Sequence, residues 1–206
     1  NLRTLMECID SASYDVDLKR HYVELARQEL ERGDEPGYRS ACWQRCMSFY
    51  LKAYDFGEVL NCYEQWKADC PNSAFLQVDG EANAAIASYG KGKYRQALEH
   101  IQQYWIGVHE AESGEDLARQ DRMCGGYSAL YESWQNRLRQ IEFYSFCKLE
   151  AWSEADRSLM SLNFEFFSDK VEVNIFSKVF EQSTHLPNSG KFLTKCWDYI
   201  CDTSKW

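Results

Sequence analysis

Cys42, Cys46, Cys62 and Cys70 come nearest, in type and spacing, to residues that do chemistry. Four thiolates make a zinc ligand set, but structural zinc sites take a tight cysteine pair, roughly two to four residues apart, from each end of the site. Only Cys42 and Cys46 form such a pair, and no histidine stands nearby. Burial as small core hydrophobes is the expectation, with no metal bound. Cys196 and Cys201, five apart on a helix, point in different directions, which argues against a redox pair. The sequence has nine cysteines, an odd number, and no Cys-x-x-Cys. Free thiols fit a reducing compartment, and a cytoplasmic location is expected.

The other chemical candidates are weaker. Gly90-Lys91-Gly92-Lys93 resembles a phosphate cradle but lacks the Gly-Lys-Ser/Thr that would hold a nucleotide and its magnesium. His109-Glu110 is an isolated pair. Tyr127, Tyr131 and Trp134 form an aromatic stripe at helical spacing, which is the signature of core packing. No His-Glu-x-x-His, Gly-x-Ser-x-Gly or dinucleotide fingerprint occurs. We therefore expect no catalytic residue, no cofactor and no enzyme.

The formal net charge is −9, with acids and bases interleaved. Such a surface repels phosphate backbones, so direct nucleic-acid binding is disfavoured. No apolar run approaches the roughly 20 residues that span a bilayer, and no signal peptide is present. The chain begins at Asn1, so we expect a piece of a longer protein.

The elements that must position any site are helices. The three prolines, Pro36, Pro71 and Pro187, leave long uninterrupted stretches, and β-branched runs are scarce. One helix is expected through Leu2, Leu5, Met6 and Ile9. A second runs from Asp15 to Arg32, its stripe made by Leu18, Tyr22, Leu25, Ala26 and Leu30. Gly33 and Pro36 end it. Further on, Trp43, Met47, Tyr50 and Leu51 lie on one helix, and Val59, Leu60, Tyr63 and Trp66 on the next. Ala82, Ala84, Ala85 and Ala87 allow close approach to a neighbour. Gly90 and Gly92 make the following turn, before a helix through Tyr94, Ala97, Leu98 and Ile101. Leu117 to Lys148 is expected to be nearly continuous helix, with Gly125-Gly126 bending or starting it. Helices are also expected near 170–181 and 192–201, separated by the break at Leu186-Pro187. The fold class is all-α.

Aligning the turns puts Phe56, Tyr94 and Trp152 in register, and three residues after each aromatic stands Val59, Ala97 or Ala155. With Trp43 in the opening aromatic position and Pro71 at the close, the first copy resembles the tetratricopeptide repeat (TPR), a helix–turn–helix of about 34 residues. The second copy matches through Ala85, Gly92-Lys93-Tyr94 and Ala97-Leu98, and the third through Trp152, Ala155 and Leu159. The resemblance covers residues 40–165, with repeats at 40–73, 78–108 and 136–165. It implies a right-handed solenoid of antiparallel helix hairpins forming one domain over 1–206, because each pair leaves an apolar flank for the next to cover.

The resemblance also implies a groove lined by the first helix of each pair, which grips a protein or peptide. It places Gln44, Ser48, Leu51 and Lys52 there from the first copy. Asn83, Ile86 and Tyr89 follow from the second, and Arg137, Gln140, Tyr144 and Lys148 from the third. One subset of the family clamps a terminal carboxylate. Asn83 and Arg137 match that pattern, but Gln44, Ser48 and Ile141 replace its other members, so a chaperone-tail adaptor is not the preferred role. The expected function is a non-enzymatic binding module, a sensor or scaffold part of a larger regulatory protein. The alternative is a structural subunit that self-associates through the edges of its array.

The interval from 94 to 152 is far longer than that from 56 to 94, and residues 106–126 are the insertion. Ile106 to Asp116 is expected to be a solvated acidic loop. Glu110, Glu112, Glu115 and Asp116 would make it a negative flap beside the groove, favouring a basic partner whose affinity falls with salt.

Overall fold

The computed structural model describes residues 1–12, 15–33, 36–73, 75–113, 127–162, 181, 184 and 186–194. The chain divides into two compact units, Asn1–Gly125 and Gly126–Trp206. Among the described residues every regular element is a helix and no strand occurs. Nor is any described helix long and apolar enough to cross a membrane.

The first unit contains α1 (Leu2–Ser11), α2 (Val16–Arg32), α3 (Arg39–Lys52), α4 (Phe56–Asp69), α5 (Glu81–Gly90) and α6 (Tyr94–Ser113). A 3-10 turn, Pro36–Tyr38, leads into α3, and a π-helical turn, Leu76–Gly80, leads into α5. Local chemistry sets these ends. Asp15 caps α2, its Oδ1 accepting the Leu18 N–H at 2.9 Å, and Gly33 closes that helix at φ +82°. Asp55 caps α4 in the same way, accepting the Glu58 N–H at 3.2 Å.

Sequential helices pack on each other: α1 with α2, α3 with α4, and α5 with α6. The pairs also meet one another, since α2 packs on α3 and α4 on α5. The first helices touch in succession, α1 against α3 and α3 against α5. The core between them holds Ile9, Leu30, Met47, Tyr50, Trp66 and Ile101, each essentially inaccessible to solvent. Cutting Trp66 back to alanine should cost about 3–5 kcal/mol, the usual loss for a large buried aromatic.

The second unit contains α7 (Tyr127–Lys148) and α8 (Trp152–Leu159), packed on each other. A short helical stretch over 189–194 is fixed to α8 by Asp156, whose Oδ1 accepts the Asn188 N–H at 2.8 Å.

Three turns in the chain are the same turn. Tyr54, Gly92 and Glu150 take positive φ, at 57°, 72° and 56°. The N–H of the residue after each reaches back five residues, Asp55 to Tyr50, Lys93 to Ser88 and Ala151 to Phe146, at 2.9 Å in every case. Two residues past the left-handed position, Phe56, Tyr94 and Trp152 open α4, α6 and α8. Val59, Ala97 and Ala155, three further on, are fully buried. The turn that ends one helix and aims the next is thus written into the spacing.

Two expectations need correction. The stretch from Ile106 is not a loop, because α6 continues through Ser113. Ile101, Tyr104 and Val108 form its buried stripe, and Gly107 lets the helix press on the π turn. A Cβ at Gly107 would stand 2.7 Å from the Gln77 carbonyl oxygen. Gly90 does not belong to the turn either. It is the last residue of α5, and Gly92 alone takes the left-handed conformation there. Gly125-Gly126 and residues 170–180 of the helix expected near 170–181 lie outside the described residues, as does the final helix beyond 194.

Candidate functional site

The anticipated first-helix residues of the first unit do not share one open face. Gln44, on α3, is half-buried, and Lys52, at the end of α3, is exposed. Tyr89 is half-buried, with its ring centroid 5.7 Å from that of Tyr94. Asn83, by contrast, is only 1% exposed, and Ile86 is also buried. The reason is α5 itself, which is enclosed on every side from Glu81 to Ser88 because its alanines admit neighbours closely. Asn83 is therefore an interior residue.

Gln44 and Asn83 are nevertheless brought together, through Asp79 of the π turn. Gln44 Nε2 donates to Asp79 Oδ2, and Asn83 Nδ2 donates to the Asp79 carbonyl at 2.7 Å. Asp79 is buried, so its carboxylate depends on such donors. Among the described residues Asn83 Oδ1 has no hydrogen-bond partner.

A second buried network lies at the other side of α5. Glu81, buried at the start of the helix, accepts from Tyr63 Oη at 2.5 Å with Oε1. Its Oε2 is 2.7 Å from His100 Nδ1. The Tyr63 and His100 rings meet edge to face, centroids 5.0 Å apart. Burial, with the hydrogen bond to Glu81, pushes the Tyr63 hydroxyl far above its ordinary titration range. The network ties α4, α5 and α6 together. It was not anticipated, and the one signal for it is a glutamate opening an otherwise small, apolar helix.

The α3–α4 pair is held by polar and charged residues that reach across elements. Arg39 Nε donates to both carboxylate oxygens of Asp69, at 2.9 and 2.8 Å, and Arg39 Nη2 donates to the Leu30 carbonyl. Trp43 Nε1 also donates to Asp69, at 2.8 Å, so the opening aromatic does more than fill space. Burial raises the Asp69 carboxyl, but the hydrogen bonds from Arg39 and Trp43 outweigh it and hold the group below its ordinary value.

Cys42, Cys46 and Cys62 are wholly buried, and Cys70 is half-buried. The Cys46 thiol donates a hydrogen bond to Cys42 Sγ, which lowers the Cys42 thiol and, with burial, raises its own. Burial pushes the Cys62 thiol up to about 12. Among the described residues no group of three or more His, Cys, Asp or Glu is arranged to hold a metal ion.

In the second unit, Arg137 and Lys148 are exposed, Gln140 is half-buried and Tyr144 is 9% exposed. Glu110 and Glu112 fall near the end of α6, while Glu115 and Asp116 lie outside the described residues.

One edge of the first unit was not singled out by the pattern. The turn after α3 and the turn after α5 lie together, since the Phe56 ring abuts Gly90 and Lys91 Nζ would stand 3.7 Å from a Cβ on Gly57. Lys52, Lys91, Lys93 and Arg95 are all exposed along this edge, beside Tyr54, which is 76% exposed. No family model, curated protein or solved structure matches this chain.

Proposed function

We propose that the chain is a non-enzymatic binding module, a right-handed array of tetratricopeptide-like helix hairpins that holds a protein or peptide partner. The observation that carries this is the recurrence of one turn at Tyr54, Gly92 and Glu150, with the same hydrogen bonds and the same following aromatic. Three copies of one connector are the mark of a repeat, and repeats stack because each pair cannot cover its own flank. The succession of contacts α1 to α3 to α5 supports the array further. Partner contact in the first unit then falls to its accessible first-helix residues, Gln44, Lys52 and Tyr89; the second unit, taken by itself, offers Arg137, Gln140 and Lys148. Asn83 and Tyr144, being enclosed, shape the surface from below. A cytoplasmic scaffold or sensor role within a larger protein goes with this reading, as does a basic partner for the acidic end of α6.

The test is capture of partners from extract, identified by mass spectrometry, with wild type and two variants. Gln44→Ala with Tyr89→Ala tests the face of the first unit and Arg137→Ala with Gln140→Ala that of the second, and at least one of them should lose a captured partner while keeping wild-type circular dichroism. Retention of that partner by both variants would dismiss the first-helix face.

A second reading rests on the second unit, where Leu149, Trp152 and Met160 are 37%, 43% and 37% exposed. Apolar residues left open at a repeat suit self-association. Light scattering that shows a dimer in wild type and a monomer for Trp152→Ser would favour it.

A further inference from the structure

We propose that the basic turn edge of the first unit docks an acidic, unstructured segment of a partner protein, using Lys52, Lys91, Lys93 and Arg95 around Tyr54. This surface shares Lys52 with the first-helix face, but Tyr54, Lys91, Lys93 and Arg95 lie outside that face and carry the test.

The cations of the first unit sort into two groups. Among its described residues, every Lys and Arg away from the edge except Lys19 is engaged. Arg3 pairs with Glu7, Arg27 with Glu58, Arg32 with Glu29, Arg39 with Asp69 and Arg45 with Asp10. Arg20 lies over the Phe49 ring and Lys67 over Tyr63. Lys52, Lys91, Lys93 and Arg95 make no ion pair, hydrogen bond or ring contact among the described residues, and Lys19 on α2 is the one other such cation in this unit. In a chain of net charge −9, with acid in excess, four cations grouped at one edge make a locally positive patch, offset in part by Asp55, whose Oδ1 would stand 3.6 Å from the same Gly57 Cβ that lies 3.7 Å from Lys91 Nζ.

Of the acids around the edge, Glu58 is paired with Arg27, and Asp55 and Glu99 leave the four cations in excess. Asp55 Oδ1 accepts the Glu58 N–H that starts α4, and Glu58 Oε2 is held by Arg27 at 2.8 Å. Glu99 is exposed one turn beyond Arg95 and leaves the turn residues themselves uncovered. Tyr54 adds an apolar anchor at the centre, 76% exposed, with its ring edge-on to Phe56 at 6.2 Å. An amphipathic aromatic flanked by cations fits a short segment that carries carboxylates on either side of an apolar side chain.

Charge scale chooses peptide over nucleic acid. Exposed charges are screened within roughly 8–10 Å, so a short acidic segment senses the local patch alone. A nucleic-acid duplex carries a charge about every 1.7 Å and would run off the patch onto a net-negative surface.

The test is fluorescence anisotropy with a labelled Glu/Asp peptide centred on one Phe, a Lys-for-acid counterpart, and a single-stranded oligonucleotide. Wild type should bind the acidic peptide and not the basic one, with affinity falling as salt rises. Lys91→Glu, Lys93→Glu and Arg95→Glu together should weaken binding about tenfold or more, with circular dichroism unchanged. Tyr54→Ser should weaken it less, without changing the salt dependence. Three results would each overturn the proposal: no binding of the acidic peptide, equal affinity in the charge-reversed variant, or tighter, equally variant-sensitive binding of the oligonucleotide. The peptide assay leaves the first-helix residues untouched, so its failure says nothing for or against capture by that face.

Discussion

The ring of Phe56 lies against the backbone of Gly90, so closely that a methyl group there would stand 2.4 Å from Phe56 Cε2. Phe56 opens α4 and Gly90 closes α5, so this contact joins one hairpin turn to the next. Gly90→Ala should destabilise the first unit by about 1–3 kcal/mol, the usual cost of overpacking. Phe56→Leu should relieve part of that cost in the double variant, because the two residues touch. Urea unfolding of the four proteins of the cycle checks it, and strict additivity would mean that the ring simply moves aside.

The shared turn gives a second expectation. Gly92 adopts its φ of +72° freely, whereas Glu150 holds φ +56° against steric cost. Gly92→Ala should lower stability by about 1 kcal/mol, and Glu150→Gly should raise that of the second unit by a smaller amount. Opposite shifts in melting temperature are the expected result. Two shifts of the same sign would show that the turns, though alike in hydrogen bonding, are not under the same strain.

Glu81 is the acceptor for both Tyr63 and His100, which predicts strong coupling. Glu81→Ala strands two buried donors, each costing about 1–3 kcal/mol. Tyr63→Phe removes one donor with its bond and should cost less. Combined with Glu81→Ala, it should add little further loss, since its partner is already gone. Full additivity in denaturant unfolding would show that the three residues do not act as a network.

Local rules were enough to place most of the helices and their turns. Apolar spacing located α1 to α4, Asp15 and Gly33 marked the ends of α2, and the aligned aromatics fell on the first residues of α4, α6 and α8. The errors arose where tertiary packing overrode local composition. Glu110 and Glu112 suggested a loop, but the buried stripe from Ile101 to Val108 carries α6 through Ser113. Asn83 sits at a groove position by register, yet a helix of alanines and serine is enclosed on all sides. The Tyr63–Glu81–His100 network joins residues from three helices, and no spacing within one helix announces such a meeting. The basic edge was hidden for a related reason, because Lys52 and Lys91 to Arg95 are separated in sequence and meet only when Phe56 packs on Gly90.

Asp69 should make the α3–α4 hairpin sensitive to acid. Arg39 and Trp43 hold its carboxyl below the ordinary value of about 3.9 despite partial burial. A carboxyl depressed in the folded state binds fewer protons there than in the unfolded chain, so its stabilisation is complete above the unfolded value. It is lost as pH falls through the folded value. The side chain is 22% exposed, so solvent screens the pair only partly, and Asp69→Asn should cost about 1–3 kcal/mol near neutral pH. That difference between wild type and variant should shrink steadily from about pH 4 to pH 2, because protonated Asp69 then resembles the amide. Urea unfolding across this range decides it. A gap that stays constant in acid would place the contribution of Asp69 in packing and neutral hydrogen bonding, not in the charge held by Arg39.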